Sequence, residues 1–193
     1  MDICKNYSHL IALLFFLCHP EASRFTTKTG FMKVPSIRVL LLFRIWDLHQ
    51  KVFYLRNNQL FAGHLQGANS ELEVKLDFVK IEPYGVSLGI HGRTLCLSCV
   101  NYGDKVRLEL EPVDINYLSN KEQDKRFIFI YSEIYATSTF ESVACPGWYL
   151  CTSQEVDQPV SLTNTLGEDM ITDFYLELDL QLSTLPSPTS AHS

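Results

Sequence analysis

A hairpin that recurs three times constrains this chain more than any other feature. The stretch Phe43–Gly67, FRIWDLHQKVFYLRNNQLFAGHLQG, reads as a strand followed by two strands joined at a tight turn. Phe43 and Ile45 alternate with Arg44 and Trp46, the period of a half-buried strand. Val52–Leu55 is a β-rich run, Asn57 and Asn58 tolerate left-handed backbone, and Gln59–His64 resumes the apolar pattern. The arrangement returns at Leu95–Leu97, with Asn101–Asp104 as turn and Val106–Leu110 as partner, and again at Trp148–Cys151, followed by a polar loop and Pro159–Leu162. The equivalent points Leu55, Leu97 and Leu150 stand 42 and 53 residues apart. Three such units predict a threefold internal repeat. A closed three-unit β architecture leaves no exposed sheet edge, so the expected fold is an all-β β-trefoil, twelve strands in three pseudo-repeats. An irregular β-sandwich is the plainer alternative.

The strands are expected near 43–48, 52–56, 59–65, 72–79, 86–91, 94–99, 105–111, 126–131, 139–143, 147–152, 159–162 and 172–178. Turns are expected at 57–58, 67–70, 82–85, 92–93, 101–104, 119–124 and 163–169. No helical period longer than about two turns competes, although 111–118 has room for a short helical turn.

Before the first repeat comes a segment with the layout of a secretory leader. Met1–Ser23 has a polar start with Lys5, an apolar run Leu10–Cys18 and a short polar end, and the run is too short to span a bilayer. Ala22 and Ser23 place the expected cleavage after Ser23. The sequon Asn6-Tyr7-Ser8 would leave with the leader. Residues 24–42 are expected as a flexible amino-terminal arm, 43–180 as the trefoil domain and 181–193, rich in Ser, Thr and Pro, as a disordered tail. The apolar run 39–43 fits either extra buried strand or an unusual boundary.

Charge narrows the function. The chain carries 16 basic and 22 acidic residues, a formal charge of −6. Removing Met1–Ser23, which holds Lys5, Asp2 and Glu21, leaves 15 against 20, or −5. Such a chain has no electrostatic case for nucleic acid or heparin-like polyanions. A glycan-binding trefoil would need a clustered basic face, and a protease-inhibiting one a rigid reactive loop; neither pattern is present in the sequence.

Four cysteines follow the leader: Cys96, Cys99, Cys145 and Cys151. They allow three connectivities. Cys96 and Cys99, three apart on one strand, point to opposite faces, so a bridge from one of them to Cys145 or Cys151 is the better geometry in a secreted chain. One Cys-X-X-Cys without a partner pair is a weak metal signal, and a strand context argues against redox chemistry. His91 near Cys96 is not surrounded by a nucleophilic-site signature, and nucleophile, base and orienting group would have to converge in a cleft. There is no phosphate loop, no Gly-X-Ser-X-Gly and no cofactor motif. The expectation is a non-enzymatic protein without metal or cofactor.

Several strings are specific to a known group: FRIWD at 43–47, QKVFYLRNNQL at 50–60, IEP at 81–83, LGIHG at 88–92 and CLSCV at 96–100. QDKRF at 123–127, FESVACPGWYLCT at 140–152 and DQPVSLTN at 157–164 complete them. In these the chain resembles the interleukin-1 cytokine family, and within it a signal-blocking member. The resemblance implies a β-trefoil, an extracellular monomer without membrane insertion, and occupancy of the type 1 interleukin-1 receptor ectodomain without recruitment of the accessory chain. It carries receptor contact onto Trp46, Gln50, His64, Gln66 and Tyr175. It also implies a disulfide between Cys96 and Cys145, with Cys99 and Cys151 left as thiols.

Two positions depart from the blocking pattern. His64 stands where that pattern has Tyr, which brings an imidazole to the contact. Asp173 stands where it has Lys, and Ile171–Phe174 is similar to the carboxy end of the family's agonists. Asp173 is therefore the agonist/antagonist switch candidate, and partial or full agonism is the rival reading. The connection 79–86 is short, as in blocking members; agonists of the family carry a longer loop there.

Overall fold

Alternating burial builds the strands. In β1 (Leu40–Asp47) the side chains of Phe43, Ile45 and Asp47 are buried, while Arg44 and Trp46 lie half-buried on the other face. The computed structural model describes residues 40–81, 85–119, 121–167 and 169–179. The expected leader at 1–23, nearly all of the arm at 24–42 and the tail at 181–193 lie outside the described residues. At the boundary the described chain is already strand at Leu40, so Leu40–Phe43 is strand, three residues ahead of the strand expected at 43–48. The reason is pairing: Leu40–Phe43 is hydrogen-bonded along Val79–Leu76.

The first repeat continues with β2 (Val52–Arg56), β3 (Gln59–Gly63) and β4 (Leu76–Ile81). The second comprises β5 (Gly85–Ile90), β6 (Cys96–Asn101), β7 (Val106–Glu111) and β8 (Phe129–Ile134). The third comprises β9 (Thr137–Ser142), β10 (Tyr149–Ser153), β11 (Gln158–Pro159), β12 (Ser161–Thr163), β13 (Met170–Ile171) and β14 (Phe174–Leu178). The pairings β1–β4, β4–β5, β5–β8, β8–β9, β9–β14 and β14–β1 close a ring of six antiparallel strands. The hairpins β2–β3, β6–β7 and β10–β12 stand off that ring, one per repeat. A six-stranded closed barrel with three hairpins is a β-trefoil.

All twelve expected strand positions are occupied, with two shifts and two additions. The expected strand 72–79 becomes Leu76–Ile81 because Gly67–Leu72 closes into a 3-10 turn. The expected 126–131 becomes Phe129–Ile134 because Glu122–Phe127 does the same, with Phe127 buried as its anchor. The count among the described residues rises to fourteen. The region 159–162 divides at Val160 into β11 and β12, and Met170–Ile171 forms a two-residue bridge to β10. A further 3-10 turn lies at Ile115–Tyr117, inside the region that has room for one.

The barrel is filled by phenylalanine. Phe43, Phe53, Phe78, Phe129, Phe140 and Phe174 are buried, and ring centroids 4.6 Å (Phe43–Phe78), 5.8 Å (Phe78–Phe140), 6.1 Å (Phe140–Phe174) and 5.7 Å (Phe174–Phe53) link five of them. Tilted and edge-on rings at these separations are the favoured aromatic arrangement. A second apolar cluster, Val79, Ile81, Cys96, Ile115, Leu118, Phe127 and Ile128, packs under the 3-10 turns.

The cysteines divide between these clusters. Cys96 belongs to the second and its Sγ donates to the Val113 carbonyl at 3.3 Å, whereas Cys99 and Cys145 belong to the first and their thiols interact. All four thiols are free. The expected Cys96–Cys145 disulfide is not formed here; the thiol beside Cys145 is that of Cys99, because an odd offset along β6 turns Cys96 to the opposite side.

Candidate functional site

The residues singled out in the first repeat are gathered by strand register. Tyr175 pairs with Trp46, Trp46 with Val52, and Val52 with Gly63, one row across β14, β1, β2 and β3. Four adjacent strands span about 14 Å. The Trp46 and Tyr175 rings stack at 5.9 Å with 22° between planes, and the Arg44 guanidinium lies 5.3 Å from the Trp46 centroid. Both rings are half-buried and so present aromatic area to solvent. Arg44 is held by Glu73, Nε to Oε1 at 2.5 Å.

Gln50 sits in the turn between Trp46 and Val52, exposed and left-handed at φ 61°. Its amide donates to the Asp47 carbonyl at 2.9 Å, and the Asp47 amide donates to the Lys51 carbonyl at 3.1 Å. His64 follows Gly63 directly and is exposed; Gln66, also exposed, precedes the Gly67–Leu72 turn. The hairpin between β2 and β3 turns on Asn57 (φ 52°) and Asn58 (φ 58°), the doubly left-handed turn those residues favour. Asp173 lies two residues before Tyr175, half-buried, and accepts a hydrogen bond from Thr137 Oγ1 at 3.0 Å. The fold thus sets Trp46 beside Tyr175, with Gln50 in the turn between Trp46 and Val52 and His64 next to Gly63 at the other end of the row; Gln66 and Asp173 stand two residues from His64 and Tyr175.

Two supports for these residues lie beneath and beside them. Beneath the Gln50 turn, Lys51 and Asp47 form a buried ion pair at 3.1 Å. Beside His64, the Asp157 carboxylate lies over Gly63, accepts from the Tyr54 hydroxyl at 2.8 Å and is anchored by its own amide on the Ala62 carbonyl at 2.8 Å. A Cβ on Gly63 would fall 2.3 Å from Asp157 Oδ1. Burial and the carboxylate together raise the Tyr54 phenol. The Asp-X-X-X-Lys spacing in WDLHQK was a signal for the first support; for the second, 103 residues apart, there was none.

The cysteine and histidine candidates lack the electrostatics of a nucleophilic site. Burial pushes the Cys96 and Cys99 thiols up to about 12 and Cys151 up to about 11, away from the thiolate that nucleophilic chemistry needs. His91 pairs through Nδ1 with Asp77 at 2.8 Å, while the Cys96 thiol faces Val113. Among the described residues no cluster of three or more metal-ligating side chains occurs, and no helix is long and apolar enough to cross a membrane.

The family described as Interleukin-1 / 18 matches residues 65–176. The interleukin-1 receptor antagonist protein of Homo sapiens is 54% identical over 182 residues, covering 93% of this chain and 99% of its own, and that of Mus musculus is 55% identical over 183 residues with the same coverage. Among solved structures, chicken interleukin 1 beta superposes with a TM-score of 0.64 at 36% identity, covering 72% of this chain and 99% of its own. The match spans more than half of the sequence, and the relatives exceed half identity along nearly all of it, so the chain belongs to the Interleukin-1 / 18 family.

Proposed function

We propose that the protein is a secreted, monomeric, non-enzymatic ligand that occupies the type 1 interleukin-1 receptor ectodomain and blocks interleukin-1 signalling by competition, without recruiting the accessory chain. The observation that carries this reading is the stacked Trp46–Tyr175 pair, with Gln50 in the turn that follows Trp46 and His64 next to the last member of the same strand row. Large, rigid aromatics flanked by amide and imidazole groups are the composition of an interface hot spot. The names of relatives at more than half identity support the same partner and the same sign of action.

A ligand that fills the primary site but fails to build a second contact excludes the agonist by mass action and transmits nothing. The short connection supports the absence of that second contact: β4 ends at Ile81 and β5 begins at Gly85. Asp173 favours the rival reading, partial or full agonism, because it places a carboxylate beside the row. A reporter-cell assay separates the two. Suppression of agonist signalling with no response to the protein alone supports antagonism; a dose-dependent response to the protein alone overturns it.

A further inference from the structure

We propose that the buried Asp47–Lys51 pair is a positioning element, whose role is to hold Gln50 in its left-handed conformation for receptor contact. The proposal rests on the receptor-ligand reading above. The Lys51 side chain is 1% exposed and that of Asp47 0%. Lysine is almost never so deeply buried without a reason.

The carboxylate has four donors around it. Oδ1 accepts from the amides of His49 at 2.9 Å and Lys51 at 3.0 Å. Oδ2 accepts from Thr152 Oγ1 at 2.6 Å and from Lys51 Nζ at 3.1 Å. Nζ also donates to the Ser153 carbonyl. A buried ion pair contributes little net stability, because desolvating both charges offsets their attraction. What this pair does supply is geometry. The two amides it holds are those of the residues flanking Gln50, so the backbone is restrained on both sides of a φ that non-glycine residues rarely adopt. Thr152 and Ser153 belong to β10, and four residues beyond Ser153 stands Asp157, packed over Gly63. The network thus joins the Gln50 turn to the chain that packs over Gly63, the residue before His64.

The test is a double-mutant cycle on receptor-ectodomain binding with the full mature chain. Lys51→Met is expected to lower affinity about tenfold, mostly through faster dissociation. If Lys51 acts through Gln50, adding Gln50→Ala to Lys51→Met costs less than about threefold more, whereas Gln50→Ala alone costs about tenfold. Full multiplication of the two penalties, or unchanged affinity in a folded Lys51→Met, overturns the proposal. Should Lys51→Met fail to fold, Thr152→Val, which removes only the hydroxyl on Oδ2, is put through the same cycle, with about threefold as the expected single effect. Hydrogen exchange gives a reading independent of the receptor. The His49 and Lys51 amides are expected to exchange faster in the variant while amides of the β8–β9 hairpin do not, and unchanged protection of both overturns the proposal. Absence of binding by the unaltered chain would remove the receptor reading and leave the exchange measurement to decide the positioning claim.

Discussion

Replacing Gly63 with alanine probes the wall of the candidate site. The added methyl would lie 2.3 Å from Asp157 Oδ1 and 3.2 Å from Tyr54 Cε1, so the carboxylate has to leave its place. It cannot do so freely, since the Asp157 amide is bonded to Ala62 and its φ is already 57°. The hydrogen bond from the Tyr54 hydroxyl is then lost; one to a charged acceptor contributes about 1.5–3 kcal/mol. Against this, alanine restricts the unfolded chain and returns about 0.4–1 kcal/mol. The net expectation is a destabilisation of about 0.5–2.6 kcal/mol, a fall in Tm of roughly 2–10 °C. Thermal unfolding of Gly63→Ala, Tyr54→Phe and the double variant tests the mechanism as well as the size. Because both changes remove the same bond, the double variant should be less damaged than the sum by about 1 kcal/mol or more. Additivity within about 0.5 kcal/mol, or an unchanged Tm in Gly63→Ala, refutes the reasoning.

Three further outcomes follow from the geometry. Trp46→Ala removes the ring stacked on Tyr175 and should weaken receptor binding at least about thirtyfold while the fold survives, as checked by surface plasmon resonance and circular dichroism. The Cys96, Cys99 and Cys151 thiols have folded values of about 12, 12 and 11 against an ordinary 9.0. The stability gained by keeping them protonated is intact below pH 9 and is lost as pH rises towards 11–12. Tm should therefore fall more steeply above pH 9 in the parent than in a Cys96→Ala/Cys151→Ala variant, and native thiols should react with a disulfide reagent at pH 8 far more slowly than unfolded ones. Asp173→Lys removes the acceptor of Thr137 Oγ1 at a cost of about 0.5–1.5 kcal/mol in chemical denaturation and should leave receptor occupancy within about threefold.

The fold was legible because its periodicity operates at two scales. Alternation marks each strand, and the recurrence of Leu55, Leu97 and Leu150 marks the repeats; Phe43, Phe78, Phe129, Phe140 and Phe174, all on strands of the ring, then supply its interior. Boundaries were less legible where a 3-10 turn begins with residues that also suit a strand or loop, as at Glu122–Phe127, since the burial of Phe127 and the Ser119–Asp124 and Arg126–Glu111 contacts that hold that turn exist only in the fold. Trp46, Gln50, His64 and Tyr175 could be singled out in the sequence, but the adjacency of Trp46 and Tyr175 depends on β14 closing against β1, a pairing across 129 residues that local pattern does not encode. The supports were hidden for a different reason. A lysine reads as surface until its carboxylate and carbonyl partners are known, and the Asp157–Gly63 packing joins residues of separate repeats. For the cysteines, strand parity required Cys96 and Cys99 to diverge, yet only the folded positions show that Cys99 is the one facing Cys145.

The central claim is occupancy without recruitment, and binding to immobilised type 1 receptor ectodomain, with and without soluble accessory-chain ectodomain, measures both halves. Saturable binding is expected, with the same dissociation rate and the same bound mass in either condition. No binding, or added mass and slower dissociation when the accessory chain is present, contradicts it.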